Sequence, residues 1–144
     1  MKMKNIAICL LISFMTLDGI AQKVEIQKAD LSGKIRTYIN TEYSKLSVIQ
    51  AFKNKDEFTT TYYVLLENYT ELEFNKKNEI TRISGKIKLP DSVVPEIILT
   101  YIKNKYPKNV VIGWQLNEES QKIKLDSGLD LEFKRNGDFI RIVY

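Results

Sequence analysis

The sequence contains no histidine, and its only cysteine, Cys9, and its three methionines all lie at or before Met15. Histidine and cysteine supply most protein ligands of zinc, and they act as general base or nucleophile in many hydrolases. If the N-terminal segment is removed, the remaining chain can form no disulfide bond and no thiolate or imidazole metal site. Roughly 120 residues would remain, which is enough to build one packed apolar core.

Residues 1–22 have the layout of a secretory signal peptide. Two lysines precede a mostly apolar run over residues 5–17, and Gly19 and Ala21 place small residues at positions −3 and −1 of a cleavage site near Ala21 or Gln22. We predict that residues 1–22 are a signal peptide and that residues 23–144 form a single domain.

Two other interpretations of this segment are less favoured. The apolar run is shorter than the roughly 20 residues that a membrane-spanning helix needs, which argues against a retained anchor. A lipoprotein signal would use Cys9, but the bulky Ile8 stands directly before it and the cysteine lies inside the apolar run. We therefore predict a periplasmic or secreted protein with no stable membrane insertion after signal cleavage.

Charge gives little indication of a nucleic-acid partner. The formal net charge is only +4, and acidic residues are interspersed with the basic ones. Nucleic-acid binding would require clustered basic residues together with aromatic side chains on which bases stack. We expect solvated helix and sheet faces instead from the lysines that come closest to a patch, namely Lys103, Lys105, Lys108, Lys122 and Lys124.

The spacing of apolar residues predicts two helices among short strands. A helical period runs over 31–44 and again over 94–106, where Pro107 ends it. Alternation and β-branched residues predict strands over 46–52, 58–66, 69–75, 79–87, 109–116, 121–126 and both arms of a hairpin over 129–142. Residues 22–28 are a mixed lead-in, with an extended strand as one interpretation.

The hairpin over 129–142 has a weaker copy over 70–83. One register superposes Phe74 on Phe133 in the hairpins, and a slightly longer one superposes Tyr38 on Tyr101 in the helices. We predict two units, over about 29–87 and 88–144, each a helix followed by three or four antiparallel strands. In the second hairpin, Asn136-Gly137 predicts a type I′ turn, and Ser127-Gly128 predicts a two-residue turn before it.

Short connections make consecutive strands pair, and the apolar face of the sheet needs a cover that the two helices can supply. The sequence therefore predicts an α+β fold: one antiparallel sheet of six to eight strands, with both helices on one face and the other face solvated.

Three segments carry a resemblance to a known family. They are Leu-Pro-Asp-Ser-Val-Val-Pro at 89–95, Tyr-Ile-Lys-Asn-Lys-Tyr-Pro at 101–107 and Gly-Leu-Asp-Leu-Glu-Phe-Lys-Arg-Asn-Gly-Asp-Phe at 128–139. With the signal peptide and the repeated unit, they resemble the PepSY-like, β-lactamase-inhibitor-like group of small exported bacterial proteins. The resemblance covers roughly 30–144. It implies a fold like that of the β-lactamase inhibitory protein, whose concave sheet face grips a partner, but it does not imply inhibition of β-lactamase.

Two carboxylate pairs lie at strand spacing, Glu71 with Glu73 and Asp130 with Glu132. Such a pair could serve as the acid and base of a hydrolase. Because such a pair occurs in both units, a solvated sheet face is favoured instead. On that face the carboxylates would pair across strands with lysines of the strand over 121–126. We therefore expect no enzyme activity.

The turns over 75–79 and 134–138 could suggest calcium loops. Calcium needs several acidic or amide ligands at alternate positions, and here lysine or arginine side chains occupy both turns and would repel a cation. We predict neither a metal nor another cofactor.

Aromatic residues point to a binding surface. If Val64 and Leu66 face the helices, Tyr63 and Leu65 face the other way, and the same parity places Tyr69 with them. Trp114, the only tryptophan, lies late in a strand. Exposed tyrosine and tryptophan are typical of partner-binding surfaces, although core positions or isolated surface aromatics would need no function.

The prediction is therefore a monomeric, non-catalytic exported binding module whose sheet face engages an unknown exported protein or peptide. The residues predicted to bind the partner are Tyr63, Leu65, Tyr69 and Trp114. One alternative is a regulator or inhibitor of an exported peptidase in the PepSY manner. A more remote alternative is a hydrolase that acts through the carboxylate pairs.

Overall fold

The computed structural model describes residues 22–144. The predicted signal peptide, apart from Gln22, lies outside this range. Within residues 22–144, no helix is long and apolar enough to cross a membrane.

The described chain contains two α-helices and nine strands. Helix α1 is Gly33–Glu42 and helix α2 is Glu96–Lys105; short 3-10 turns, Lys28–Asp30 and Asp91–Val93, precede them. The strands are β1 (Gln22–Glu25), β2 (Val48–Lys55), β3 (Thr60–Leu66), β4 (Glu71–Phe74), β5 (Ile80–Ser84), β6 (Val111–Leu116), β7 (Ser120–Leu125), β8 (Asp130–Lys134) and β9 (Phe139–Val143).

All nine strands form one antiparallel sheet whose strand order follows the sequence from β1 to β9. This confirms the α+β class and the antiparallel sheet, but the sheet has one strand more than the upper limit of the predicted six to eight. The additional strand is β1, in the lead-in over 22–28, and it pairs with β2 between Gln22–Lys55 and Glu25–Phe52. Its four side chains are all exposed, so its sequence carries no apolar alternation that would reveal a strand.

One sheet face packs against both helices and forms the core. Each helix contributes two buried isoleucines four residues apart, Ile35 with Ile39 and Ile98 with Ile102, because residues at i and i+4 share a helix face. The sheet contributes side chains that are at most 1% exposed: Leu66, Leu72, Phe74, Ile83, Ile123, Leu125, Leu131 and Phe133. Each such side chain stabilises the fold by about 1.5–3 kcal/mol relative to an exposed position.

Capping and proline residues explain where the helices begin and end. The hydroxyl of Ser32 caps α1 by accepting a hydrogen bond from the backbone N–H of Ile35 at 3.2 Å. Helix α2 begins directly after Pro95 and ends shortly before Pro107. The predicted spans are longer because the apolar period continues into the buried flanking residues Leu31, Tyr43 and Val94.

The order of a helix followed by four strands occurs twice. Tyr38 of α1 meets Phe74 edge-on with ring centroids 5.6 Å apart, and Tyr101 of α2 meets Phe133 in the same way at 5.4 Å. The two tyrosines and the two phenylalanines are the residues that superpose when the halves of the sequence are aligned.

The turn between β8 and β9 is not the predicted type I′ turn. Gly137 has a φ of 94°, but Asn136 does not adopt a positive φ. The Gly137 N–H donates to the Lys134 carbonyl at 2.9 Å, and the Lys134 N–H donates to the Asp138 carbonyl at 2.8 Å. This is a longer turn that ends in a left-handed glycine, followed by a bulge in the β8–β9 register.

The β7–β8 connection is built in the same way. Gly128 has a φ of 87°, and its N–H donates to the Leu125 carbonyl at 2.9 Å, so the predicted two-residue turn at Ser127-Gly128 is also too short. Both predictions failed because a turn signal that ends in glycine does not distinguish a two-residue turn from a longer turn with one left-handed residue.

Gly137 is constrained twice, by its positive φ and by α2. A Cβ atom at this position would collide with Cγ2 of Ile97. We expect Gly137→Ala to lower the free energy of unfolding by about 1–3 kcal/mol, measured by urea denaturation. The double variant Ile97→Ala/Gly137→Ala removes the collision and should show that the two effects are coupled.

Gly33→Ala is the matched control for Gly137→Ala, because nothing lies within 4 Å of a Cβ atom at Gly33 and the residue is the first of α1. It should leave stability unchanged or raise it. An unaltered unfolding midpoint for Gly137→Ala would contradict this account of the turn.

Tyr69 adopts a backbone conformation that is unfavourable for residues other than glycine. Its φ is 63°, and its N–H donates to the Leu66 carbonyl at 2.8 Å, the arrangement that Gly128 adopts before β8. A left-handed residue other than glycine costs about 1–2 kcal/mol. We expect Tyr69→Gly to raise the thermal unfolding midpoint, as measured by circular dichroism.

Tyr69→Ala separates backbone strain from loss of the aromatic ring, because alanine keeps the strain. The Ala variant should gain no stability. If both variants were equally stabilised, the strain at Tyr69 would not be the cause.

Candidate functional site

The sheet face that points away from both helices, here called the outer face, is open to solvent and carries the candidate site. Directly paired residues of neighbouring strands share a face, which fixes its members in the first five strands. Phe52 pairs with Tyr63, and Gln50 pairs with Leu65. Tyr63 then pairs with Glu73, which pairs with Arg82.

These residues surround a shallow recess of about 340 Å³, here called the outer cup. Its floor is apolar, and charged side chains rise around it. The residues that define it are Phe52, Tyr63, Leu65, Glu71, Glu73 and Arg82.

A cationic side chain already lies in the outer cup. The Nζ atom of Lys23 lies 4.5 Å from the ring centroid of Phe52 and 5.1 Å from that of Tyr63. An ammonium group over an aromatic face is attracted by the negative potential of the ring. Partial burial, together with the negative charge of Glu73, raises the pKa of the Tyr63 hydroxyl.

Tyr63 and Leu65 lie on the outer face, where alternation placed them, and both are half-buried. Phe52 completes the aromatic pair, and the sequence prediction missed it. Gln50, Phe52 and Asn54 lie at alternate positions of β2. The bulge between Val48 and Gln50 interrupts this alternation at the start of the strand, so the sequence pattern does not reveal which face Phe52 occupies.

Tyr69 is placed differently from the prediction. It lies in the turn before β4, which begins at Glu71, and not in a strand beside Glu71 and Glu73. Its side chain is 63% exposed, and the Nζ atom of Lys86 lies 5.7 Å from its ring centroid. The positive φ takes Tyr69 out of the strand alternation on which the prediction depended.

The predicted position of Trp114 on the outer face is wrong. Trp114 is only 8% exposed and pairs with Ile83 and Ile123, which are core residues on the helix-facing side. Its indole N–H donates to the Oε1 atom of Gln121 at 2.9 Å, so its polar group is satisfied inside the protein.

The sequence did contain a cue to the orientation of Trp114. Gly113 and Gln115 on either side of it are the outward residues of β6, and they pair with Lys124 and Lys122. A glycine and a glutamine facing out require the residue between them to face the core.

The carboxylates predicted on one face lie on the outer face, in cross-strand pairs. The Lys124 ammonium lies 3.4 Å from Asp130, and Glu132 accepts hydrogen bonds from the Ser120 hydroxyl at 2.9 Å and from Arg141 Nε at 2.8 Å. The bond from Ser120 and the charge of Arg141 lower the pKa of Glu132. A carboxyl that its neighbours hold in the ionised form is poorly suited to act as a general acid.

In the two turns considered as calcium loops, polar side chains form hydrogen bonds within the turn itself. Asn75 Oδ1 accepts from the backbone N–H groups of Lys77 and Glu79, and the Lys34 ammonium lies 3.6 Å from Glu79. Within residues 22–144, no three acidic, histidine or cysteine side chains converge as metal ligands would.

Three solved structures share the fold over most of the chain. One is described as "a putative calcium-regulated periplasmic protein" from Bacteroides thetaiotaomicron, with a TM-score of 0.81, 23% identity, and coverage of 85% of this chain and 97% of that one. At that identity it shows the fold alone.

The other two come from Bacteroides vulgatus. One is described as "a putative periplasmic protein from DUF2874 family", with a TM-score of 0.82, 28% identity, and coverage of 88% of this chain and 100% of that one. The other is "a putative periplasmic protein of unknown function", with a TM-score of 0.81, 28% identity, and coverage of 85% and 100%.

No curated protein matches the chain. A family model does match it, the one described as "Putative beta-lactamase-inhibitor-like, PepSY-like", and the match extends over residues 60–141, which is more than half of the sequence. This confirms the resemblance found in the three sequence segments, all of which the match contains. The chain belongs to the PepSY-like, β-lactamase-inhibitor-like family.

Proposed function

We propose that this protein is a non-catalytic exported binding module, and that it engages a protein or peptide through the outer cup. The observation that carries the proposal is an aromatic pair, Phe52 and Tyr63, that lines a recess on an uncovered sheet face beside Leu65. Aromatic side chains that stay partly exposed in a recess are the usual anchors of protein interfaces.

The position of Lys23 supports a partner with a cationic side chain. Its ammonium occupies the aromatic part of the outer cup, where Glu73 pairs with Tyr63 and Glu71 pairs with the neighbouring Leu65. A lysine or arginine of a partner would meet both an aromatic face and two carboxylates there. Leu65 would supply apolar contact area next to it.

Both the sequence and the neighbours support a periplasmic location. Residues 1–22 have the layout of a signal peptide, and the three similar structures are all described as periplasmic. We infer that the chain acts after export.

We further propose that the two halves of the domain are copies of one unit whose outer faces have diverged. The register that superposes Tyr38 on Tyr101 sets Phe52 against Gln115. The register that superposes Phe74 on Phe133 sets Tyr63 and Leu65 against Lys122 and Lys124. The apolar floor of the first half is therefore replaced by polar and charged side chains in the second, and the outer cup is confined to one half.

A role as regulator or inhibitor of an exported peptidase is the same proposal with the partner specified. Catalysis by the carboxylates is not favoured, because Asp130 and Glu132 are each engaged by a basic neighbour, Lys124 and Arg141 respectively. Hydrolysis by paired carboxylates depends on one of them staying protonated.

The proposal is tested by placing a photo-crosslinking amino acid at Tyr63 and irradiating the native host. We expect a discrete adduct with an exported protein, identified by mass spectrometry. Excess unlabelled wild-type protein should compete the adduct away, and the Tyr63→Ala variant should compete at least tenfold less well.

The matched control carries the crosslinker at Lys122, the corresponding position of the second half, which is exposed on the same face. It should give no such adduct. The same pattern of adducts at both positions, or none at Tyr63, would show that the outer cup is not the binding surface.

A further inference from the structure

We propose that the outward edge of β9, which pairs with no other strand of residues 22–144, docks an extended segment of a partner protein, which adds to the sheet as an antiparallel tenth strand. This surface lies at the far end of the sheet from the outer cup, and the proposal does not depend on the function of the outer cup.

The two edges of the sheet differ in how they are protected. Exposed edge strands normally carry charged residues, which discourage pairing with other chains. The edge strand β1 has the sequence Gln-Lys-Val-Glu, with one apolar residue. The edge strand β9 has the sequence Phe-Ile-Arg-Ile-Val, with one charged residue, and Phe139, Ile140 and the following Tyr144 are 36%, 44% and 106% exposed.

The protein contains an internal template for what β9 can accept. Strand β5 pairs with β4 through Glu73–Arg82 and Leu72–Ile83, with a bulge before Phe74. Strand β9 pairs with β8 in the same register, through Glu132–Arg141 and Leu131–Ile142, with a bulge before Phe133. The backbone of β9 therefore presents the same outward edge as that of β5.

The outward edge of β5 is covered by β6. Arg82 pairs with Gln115, Ile83 with Trp114, and Ser84 with Gly113. The Gly85 N–H continues the pairing by donating to the Ile112 carbonyl at 2.8 Å. The order of side chains along β6 is small, large apolar, polar.

Transfer of this pattern to β9 specifies the chemistry of the partner strand. It should place a polar side chain opposite Arg141, a large apolar side chain opposite Ile142 and a small residue opposite Val143. The apolar side chain would extend the core on the helix side, as Trp114 does beside Ile83. Main-chain hydrogen bonds supply affinity and the alternating side chains supply specificity in this mode of recognition.

A second copy of the same chain fits this pattern poorly. Antiparallel self-pairing centred on Arg141 would place two like charges opposite each other, which is destabilising. Pairing centred on Ile142 would place Val143 opposite Arg141, where the template has a polar residue, and a long arginine where the template has glycine. A heterologous strand is therefore the occupant that the template favours.

The template also provides the probe. A synthetic peptide with the sequence of residues 109–118, which contains β6, is titrated into the isotope-labelled mature protein and followed by amide chemical shifts. We expect saturable shifts confined to β8 and β9. The same peptide with Trp114→Pro lacks both the apolar side chain and a ladder N–H, and should bind at least tenfold more weakly.

Two charge-matched variants of the protein locate the site. Ile140→Lys puts a lysine on the β9 edge, and Val24→Lys puts one on β1, at positions that are 44% and 47% exposed. The first should weaken peptide binding at least tenfold, and the second should leave it unchanged.

Shifts in β1 or the outer cup, or no saturable shifts at millimolar peptide, would overturn the proposal. So would equal affinity for both peptides. Sedimentation of the free protein adds a further outcome: a concentration-dependent dimer abolished by Ile140→Lys would show that the occupant of the edge is a second copy and not a partner strand.

Discussion

The whole structure depends on covering one face of a single sheet. Strands β2 to β8 bring buried apolar side chains to the same side, and only two helices of ten residues each shield them from water within the described chain. Each helix meets this requirement with two isoleucines and a tyrosine placed against a sheet phenylalanine. No element of residues 22–144 covers the other face, so its side chains are constrained chiefly by the cross-strand neighbours they contact.

The side chains on this face differ in kind from one end of the sheet to the other. Near β2 to β4, aromatic and aliphatic side chains form a recess, whereas near β7 to β9 lysine, arginine and carboxylate side chains alternate between strands. Ion pairs between exposed side chains add little to stability. The helix-facing side, in contrast, retains corresponding apolar residues in both halves, because every buried methylene contributes to stability.

Much of this was predictable from periodicity. Both helices and eight of the nine strands follow from apolar spacing, since burial acts on residues at a helical or a strand period. The failures occurred where another effect determined the conformation. β1 is exposed on both faces; Tyr69 has a left-handed backbone; and the bulge in β2 obscured Phe52. Trp114 was assigned by residue type, although the parity of its glycine and glutamine neighbours places it in the core.

The strict order of the strands has a consequence for how the chain acquires its structure. Every strand pairs only with strands adjacent in sequence, so each ladder closes a loop no longer than one hairpin turn or one connection that contains a helix. The entropic cost of closing a loop rises with the length of the segment that it encloses. Proteins rich in short-range contacts therefore fold faster than proteins dominated by long-range contacts. The two longest closures join β1 to β2 across α1 and β5 to β6 across α2, and the second is made through only three residue pairs. This junction between β5 and β6 is where partial opening of the native domain would divide the sheet.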